Sequence, residues 1–203
     1  WLEQMWCARR GRPFSWVGVN SLLLLSSLLF YFWGEGLGVG WLIASVAFNA
    51  LCGQQLAARE SSAWRKAWLA VCLVVNLAFL GWFKYAGFTV QSINLLPGLD
   101  LPVPEVALPL GISFYTFQAM SYVFDVYRRD VQPARSVWDF ACYVTMFPQL
   151  VAGPIVRYAD VAARLQHREI RFEQVASGWK RFLCGLGKKV LLANTLGQMA
   201  DAV

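Results

Sequence analysis

The sequence predicts an all-α protein, a polytopic membrane helix bundle with a re-entrant or broken helical segment around a central cavity. Three observations carry this reading. Of the 203 residues, 58% are hydrophobic and 15% charged, against roughly 25% charged in an ordinary soluble protein, and the mean hydropathy is +0.46. Long uncharged stretches alternate with short basic ones along the chain. The stretch 108–157 then combines membrane-type hydrophobicity with polar groups and prolines, which lipid does not tolerate unless protein or a cavity covers them.

Taken in order, residues 1–15 are basic and aromatic and read as a juxtamembrane loop. Arg9, Arg10 and Arg12 lead into an uninterrupted span, so no cleavable signal peptide is expected, and the opening on Trp1 suggests that further sequence precedes it. Residues 16–33 carry no charge and end in an aromatic cluster, as a spanning helix with an interfacial belt does. Further spans are expected at about 41–58, 67–85 and 109–127, with Lys84 and Tyr85 snorkelling at the end of the third. Lys and Arg concentrate before span one, after span two (Arg59, Arg65, Lys66) and after span four (Arg128, Arg129, Arg135). By the positive-inside rule those loops are cytoplasmic, and residues 34–40 and 87–107 face outward. The net charge of +6 is thus a topology and headgroup signal, not a nucleic-acid footprint.

The alternation then breaks. Residues 137–156 are apolar enough to enter the bilayer, but Arg157, Arg164, Arg168 and Arg171 follow, and a full crossing would put them outside. Pro148, Gly153 and Pro154 interrupt the helix and remove backbone donors that lipid cannot replace. A re-entrant or broken segment returning to the cytoplasmic side satisfies both constraints. Residues 158–176 are polar and helical, and 177–203 have the pattern of an amphipathic interfacial helix punctuated by Lys180, Arg181, Lys188 and Lys189.

Within the fourth span, Tyr115, Gln118, Tyr122, Asp125 and Arg129 recur at spacings of three and four, which places them on one helical face. Tyr115, Gln118, Tyr122 and Asp125, with Gln149 from the broken segment, are the candidate cavity or tunnel lining. The bland alternative is hydrogen bonding between helices, with Asp125 pairing to Arg128 or Arg129 one turn on. Arg157, Arg164 and Arg168 are candidates for attracting a phosphorylated donor; otherwise they form a solvated face touching anionic lipid. The five cysteines, at 7, 52, 72, 142 and 184, show no C-x-x-C pair. They read as buried thiols, with no metal site expected.

The runs LPLGISFYTFQAMSYVFDVYR, DFACYVTMFPQLVAGPIVRY and GLGKKVLLAN, with LLFYFWGEG and NLAFLGWFKYAGF before them in the same order, closely resemble the membrane-bound O-acyltransferase family. The likeness is to its bacterial polysaccharide branch, typified by the membrane subunit of alginate O-acetylation. It implies a helix bundle in the bacterial cytoplasmic (inner) membrane around a tunnel. Through that tunnel an acyl group passes from a cytoplasmic donor, acetyl-CoA, to an exported polysaccharide or an extracytoplasmic acetylation relay protein. The family's catalytic His acts as the base toward the acceptor hydroxyl. It belongs to a downstream helix with no counterpart here, and the only histidine, His167, has a charged, surface-like context. No catalytic residue is therefore assigned, and the chain is expected to be the N-terminal portion of an acyltransferase, inactive alone. D-alanyl transfer to teichoic acid, or a non-catalytic scaffold or transporter-like bundle, are the alternatives.

Overall fold

The computed structural model describes residues 16–96, 99–150, 153, 155–166 and 172–201. Among them every regular element is helical, and the chain divides into two compact units, residues 1–166 and 167–203.

In the first unit, α1 (Trp16–Glu35) is a Leu-rich helix whose buried residues Asn20, Leu24, Ser27 and Tyr31 recur every three or four positions, while Leu22, Leu25, Leu29 and Trp33 lie exposed. That sidedness without surface polarity is what a helix between protein and lipid requires. A short turn (Gly36–Gly38) leads to α2 (Val39–Ala58), whose buried face carries Leu42, Ser45, Val46, Asn49, Cys52, Gly53 and Leu56. The third helix, α3 (Ser62–Ile93), has 32 residues and outruns the expected 67–85. It continues past Lys84 because no proline intervenes, and Thr89 and Ser92 turn their hydroxyls back onto the carbonyls of Tyr85 and Phe88 at 2.8 Å. Residues 18–58 and 62–93 are two helical stretches long and apolar enough to cross a membrane. Cys52, Cys72 and Cys142 are buried, whereas Cys184 is exposed and Cys7 lies outside the described residues.

The remaining elements of this unit are α4 (Ile112–Arg128), α5 (Val137–Thr145), α6 (Phe147–Leu150) and α7 (Tyr158–Gln166). Helix α4 packs against α2 and α3 on one side and against α5 and α7 on the other. Its start lies at the far end of α1, because the Tyr31 hydroxyl donates to the Leu110 carbonyl at 2.8 Å. Its last carbonyls, of Val126 and Tyr127, accept from Arg65 at the start of α3. The basic ends expected to share one side of the membrane therefore meet at one end of the bundle.

The path of 137–166 follows from its contacts along α1. Ser136, Trp138 and Asp139 share a cavity of about 510 Å³ with Asn20, Ser21 and Leu24, at the beginning of α1. The Phe147 amide donates to Ser27 at 3.2 Å, and its ring meets Phe30 at 6.1 Å. This is seven to ten residues further along α1, on the order of 10–15 Å at 1.5 Å per residue. Asn20 then donates to the Leu165 carbonyl at 2.9 Å. The chain enters, breaks at depth and returns to the end it started from.

The second unit is a continuous helical run of α8 (Phe172–Gly187), a π-helical turn (Lys188–Ala193) and α9 (Asn194–Asp201). Val175, Trp179, Phe182 and Leu186 follow one another by four, three and four residues along α8, which puts them on one face.

Candidate functional site

The site is built where α4 faces the break in the re-entrant segment. Helix α4 follows Gly111, whose φ of 72° is one that side chains with a Cβ rarely adopt. From there Tyr115, Gln118, Tyr122 and Asp125 all turn inward, each at most 8% exposed. Each meets a different fate, and that of Gln118 is set by the backbone of α5.

In an unbroken helix the Phe147 amide would bond the Tyr143 carbonyl, and residue 148 would bond that of Val144. Here the Phe147 amide goes to Ser27 and residue 148 is proline. The orphaned Tyr143 carbonyl is taken by two side-chain amides, Gln118 Nε2 at 3.2 Å and Gln149 Nε2 at 2.6 Å. Two predicted residues, 31 positions apart in sequence, thus converge on one backbone oxygen. The Tyr143 hydroxyl donates to the Val156 carbonyl at 2.7 Å, which ties the entering leg to the returning one.

Tyr122 accepts a hydrogen bond from the Ala134 amide at 3.1 Å. Its ring lies 4.4 Å from that of Phe140 and 5.0 Å from that of Tyr158, which in turn lies 5.2 Å from Tyr143. Burial pushes the Tyr158 phenol up to about 12, with Tyr122 and Asp139 reinforcing the shift and Arg135 opposing it, so it stays neutral at physiological pH. On the opposite side α2 approaches so closely that a Cβ on Gly53 would collide with the Tyr122 ring.

Three polar atoms on α4 are buried without a hydrogen-bond partner: Tyr115 Oη, Thr116 Oγ1 and Asp125 Oδ2. Such groups are uncommon, because each carries an uncompensated desolvation cost. Asp125 does not pair with a neighbouring arginine; Arg128 meets Asp130 at 3.5 Å on the exposed surface instead. Arg129 leaves the stripe altogether. The helix stops at Arg128, Arg129 takes a left-handed φ of 66°, and the amides of Arg129 and Asp130 close back on the carbonyls of Val126 and Asp125. The 3.6-residue period therefore ends one residue too early to bring Arg129 inward.

Of the basic candidates, Arg157 is exposed in the irregular run before α7. The Arg164 side chain, and Arg168 and His167 entirely, lie outside the described residues.

Sequence reasoning missed two features. Arg65, read as a loop charge, is 6% exposed, and its guanidinium sits 5.5 Å from the Tyr127 ring centre while Nη2 bonds the last carbonyls of α4. Its spacing from Cys72, Asn76 and Leu80, the other buried residues of α3, was the available signal. Asn49 and Asn76 form a reciprocal amide pair between α2 and α3 at 3.0 and 2.9 Å, and an amide in the middle of each apolar span was the clue.

Compared with known proteins, the chain is 41% identical over 189 residues to the probable alginate O-acetylase AlgI of Azotobacter vinelandii, covering 90% of the chain and 38% of that protein. The chain is similar to alginate O-acetylases. The corresponding protein of Pseudomonas aeruginosa is 39% identical over the same share of the chain and 36% of its own length. The peptidoglycan O-acetyltransferase of Helicobacter pylori is 29% identical over 88% of the chain and 39% of its length. The chain thus spans well under half the length of these relatives. No family model matches the chain, and no solved structure matches it. The resemblance carried by the motifs of α4, the broken segment and the later KK-containing run is borne out by these relatives.

Proposed function

We propose that this chain is part of a multi-pass O-acetyltransferase of the bacterial cytoplasmic membrane. It helps carry an acetyl group from a cytoplasmic donor, acetyl-CoA, toward an exported polysaccharide such as alginate, or toward an extracytoplasmic relay protein. In such a transfer the acceptor hydroxyl oxygen attacks the thioester carbonyl, the carbon–sulfur bond breaks, the thiol leaves, and a base takes the hydroxyl proton. No residue of this chain is assigned as that base. Its own residues build the wall: Gln118 and Gln149 hold a broken helix open at depth, and Tyr115 and Asp125 present buried polar atoms on the same face of α4.

The single observation that carries this reading is those unpartnered atoms, Tyr115 Oη and Asp125 Oδ2, three residues before and seven residues after Gln118 on the helix that meets a backbone break satisfied by side-chain amides. Lipid would not tolerate either feature, so polar matter must meet them. The names of the relatives, alginate O-acetylase and peptidoglycan O-acetyltransferase, support O-acetylation of a glycan as the chemistry. The second name also supports a reading in which peptidoglycan is the acceptor.

The test is to change Gln118→Ala and Asp125→Ala separately in the full-length protein, and to measure ester-linked acetate on the exported polysaccharide and on peptidoglycan. Each change is expected to lower acetylation of one polymer by about tenfold or more, the equivalent of one buried hydrogen bond to a charged or reacting group, at unchanged abundance in the membrane. Unchanged acetylation of both polymers in both variants would remove this face from the transfer path.

A further inference from the structure

The cytoplasmic end of the bundle, as the charge asymmetry places it, carries a second polar feature, apart from the inward face of α4 described above. Two adjoining cavities of about 230 and 250 Å³ open there, sharing Glu60, Arg65 and Arg129 in their walls; Ser62 and Tyr127 complete the larger, and Gln132 with four apolar residues the smaller. Each is several times the roughly 30 Å³ that a water molecule occupies in the liquid. We propose that Arg65 and Arg129 form a binding site for a phosphate group.

Three observations support this. Arg65 is buried, and among the described residues its side-chain hydrogen bonds run from Nη2 to the carbonyls of Val126 and Tyr127. That anchors the guanidinium plane and leaves the N–H groups of Nη1 and of Nε, on different edges of the plane, as charged donors for a phosphate. Arg129 is the only residue other than glycine with a positive φ among the described residues. It occupies the position after a helix C-terminus that glycine fills without strain. A backbone outlier of this kind points to a side chain kept for what it does, and here the residue lines both cavities. Finally, neither arginine has a carboxylate within ion-pair distance among the described residues, since the ion pair found there joins Arg128 and Asp130. Glu60 stands exposed in the wall and leaves the two arginines with a net charge of +1.

A phosphate at this site has two sources of the same chemistry, the headgroup of an anionic lipid in the adjacent leaflet and a soluble phosphorylated molecule such as coenzyme A. The soluble source rests on the donor reading above; the lipid source does not.

The experiment uses the full-length protein in lipid nanodiscs and reads binding, not acetylation, so failure of the transfer reading leaves it intact. Retention of phosphatidylglycerol from mixed phosphatidylglycerol and phosphatidylcholine discs is measured by native mass spectrometry, and binding of coenzyme A by calorimetry. Arg129→Gly relieves the backbone, so its thermal midpoint should equal or exceed that of the parent protein. Its affinity for whichever probe binds should nonetheless fall by about tenfold, the loss of one charge-assisted contact. Arg65→Lys keeps the charge but loses the planar guanidinium, which can hold the α4 carbonyls through one nitrogen while others donate elsewhere, and should weaken the same probe. Loss confined to the lipid assigns a headgroup site, and loss confined to coenzyme A assigns a soluble ligand. Binding of both probes unchanged within about twofold in both variants, or no binding of either probe to the parent protein, would overturn the proposal.

Discussion

Tyr122 shows how one side chain does two separable jobs. Its ring fills the space between Phe140 and Tyr158, and its hydroxyl oxygen accepts from the Ala134 amide in the loop after α4. Tyr122→Phe keeps the packing and leaves a buried amide without a partner, because Ala134 is only 5% exposed. The expected cost is about 1–3 kcal/mol, read as a lowered unfolding midpoint in detergent. A midpoint matching the parent protein would mean that water replaces the hydroxyl. Gln118 differs in kind: it meets a carbonyl that the break in α5 has left open, so its loss should be felt in function beyond stability.

Helices α2 and α4 approach each other across Gly53, and the absence of a side chain there is what admits the Tyr122 ring. Gly53→Ala improves helix propensity by about 0.5–1 kcal/mol, yet inserts a methyl where the ring already sits. Overpacking of a close contact costs about 1–3 kcal/mol, so a net destabilisation of about 1 kcal/mol is expected in the same unfolding assay. Stabilisation by the alanine would show that the contact yields easily and that Gly53 is not what sets the spacing of α2 and α4. The broken element α5–α6 depends on a similar close fit: Phe147 reaches Ser27 across 120 positions of sequence, and that one contact frees the carbonyl that Gln118 and Gln149 then share.

For the molecule as a whole, the contacts of the 137–166 segment make a topological prediction. In a variant without its native cysteines, single cysteines are placed by Asp100→Cys, Arg135→Cys and Arg157→Cys, all at exposed positions. A membrane-impermeant maleimide applied to intact cells should label only the first, and all three should react once the membrane is opened. Labelling of Arg157→Cys from outside would turn the re-entrant segment into a full crossing and reverse everything after it. The expectation rests on the returning leg, where Leu165 comes back to Asn20 at the beginning of α1.

Much of this was legible in the residues. Uncharged stretches with basic ends, Pro148 and Pro154 inside an apolar run, and polar side chains every three or four residues from Tyr115 to Asp125 each follow from local rules. They establish an all-helical membrane architecture, a broken segment and the inward face of α4. The pattern did not show where that face stops, because the left-handed turn at Arg129 is set by the closure of α4 on its own carbonyls. Nor did it show that Arg65 is buried, since a basic residue after a span is normally a loop charge. Periodicity tells which way a side chain points from its own helix, and says nothing of what another helix brings to meet it. The partners of Gln118, Tyr122, Arg65 and Ser27 lie between 12 and 120 positions away. They were therefore decided only when the chain packed, by the need of each backbone group stranded in a water-poor interior to find a bond.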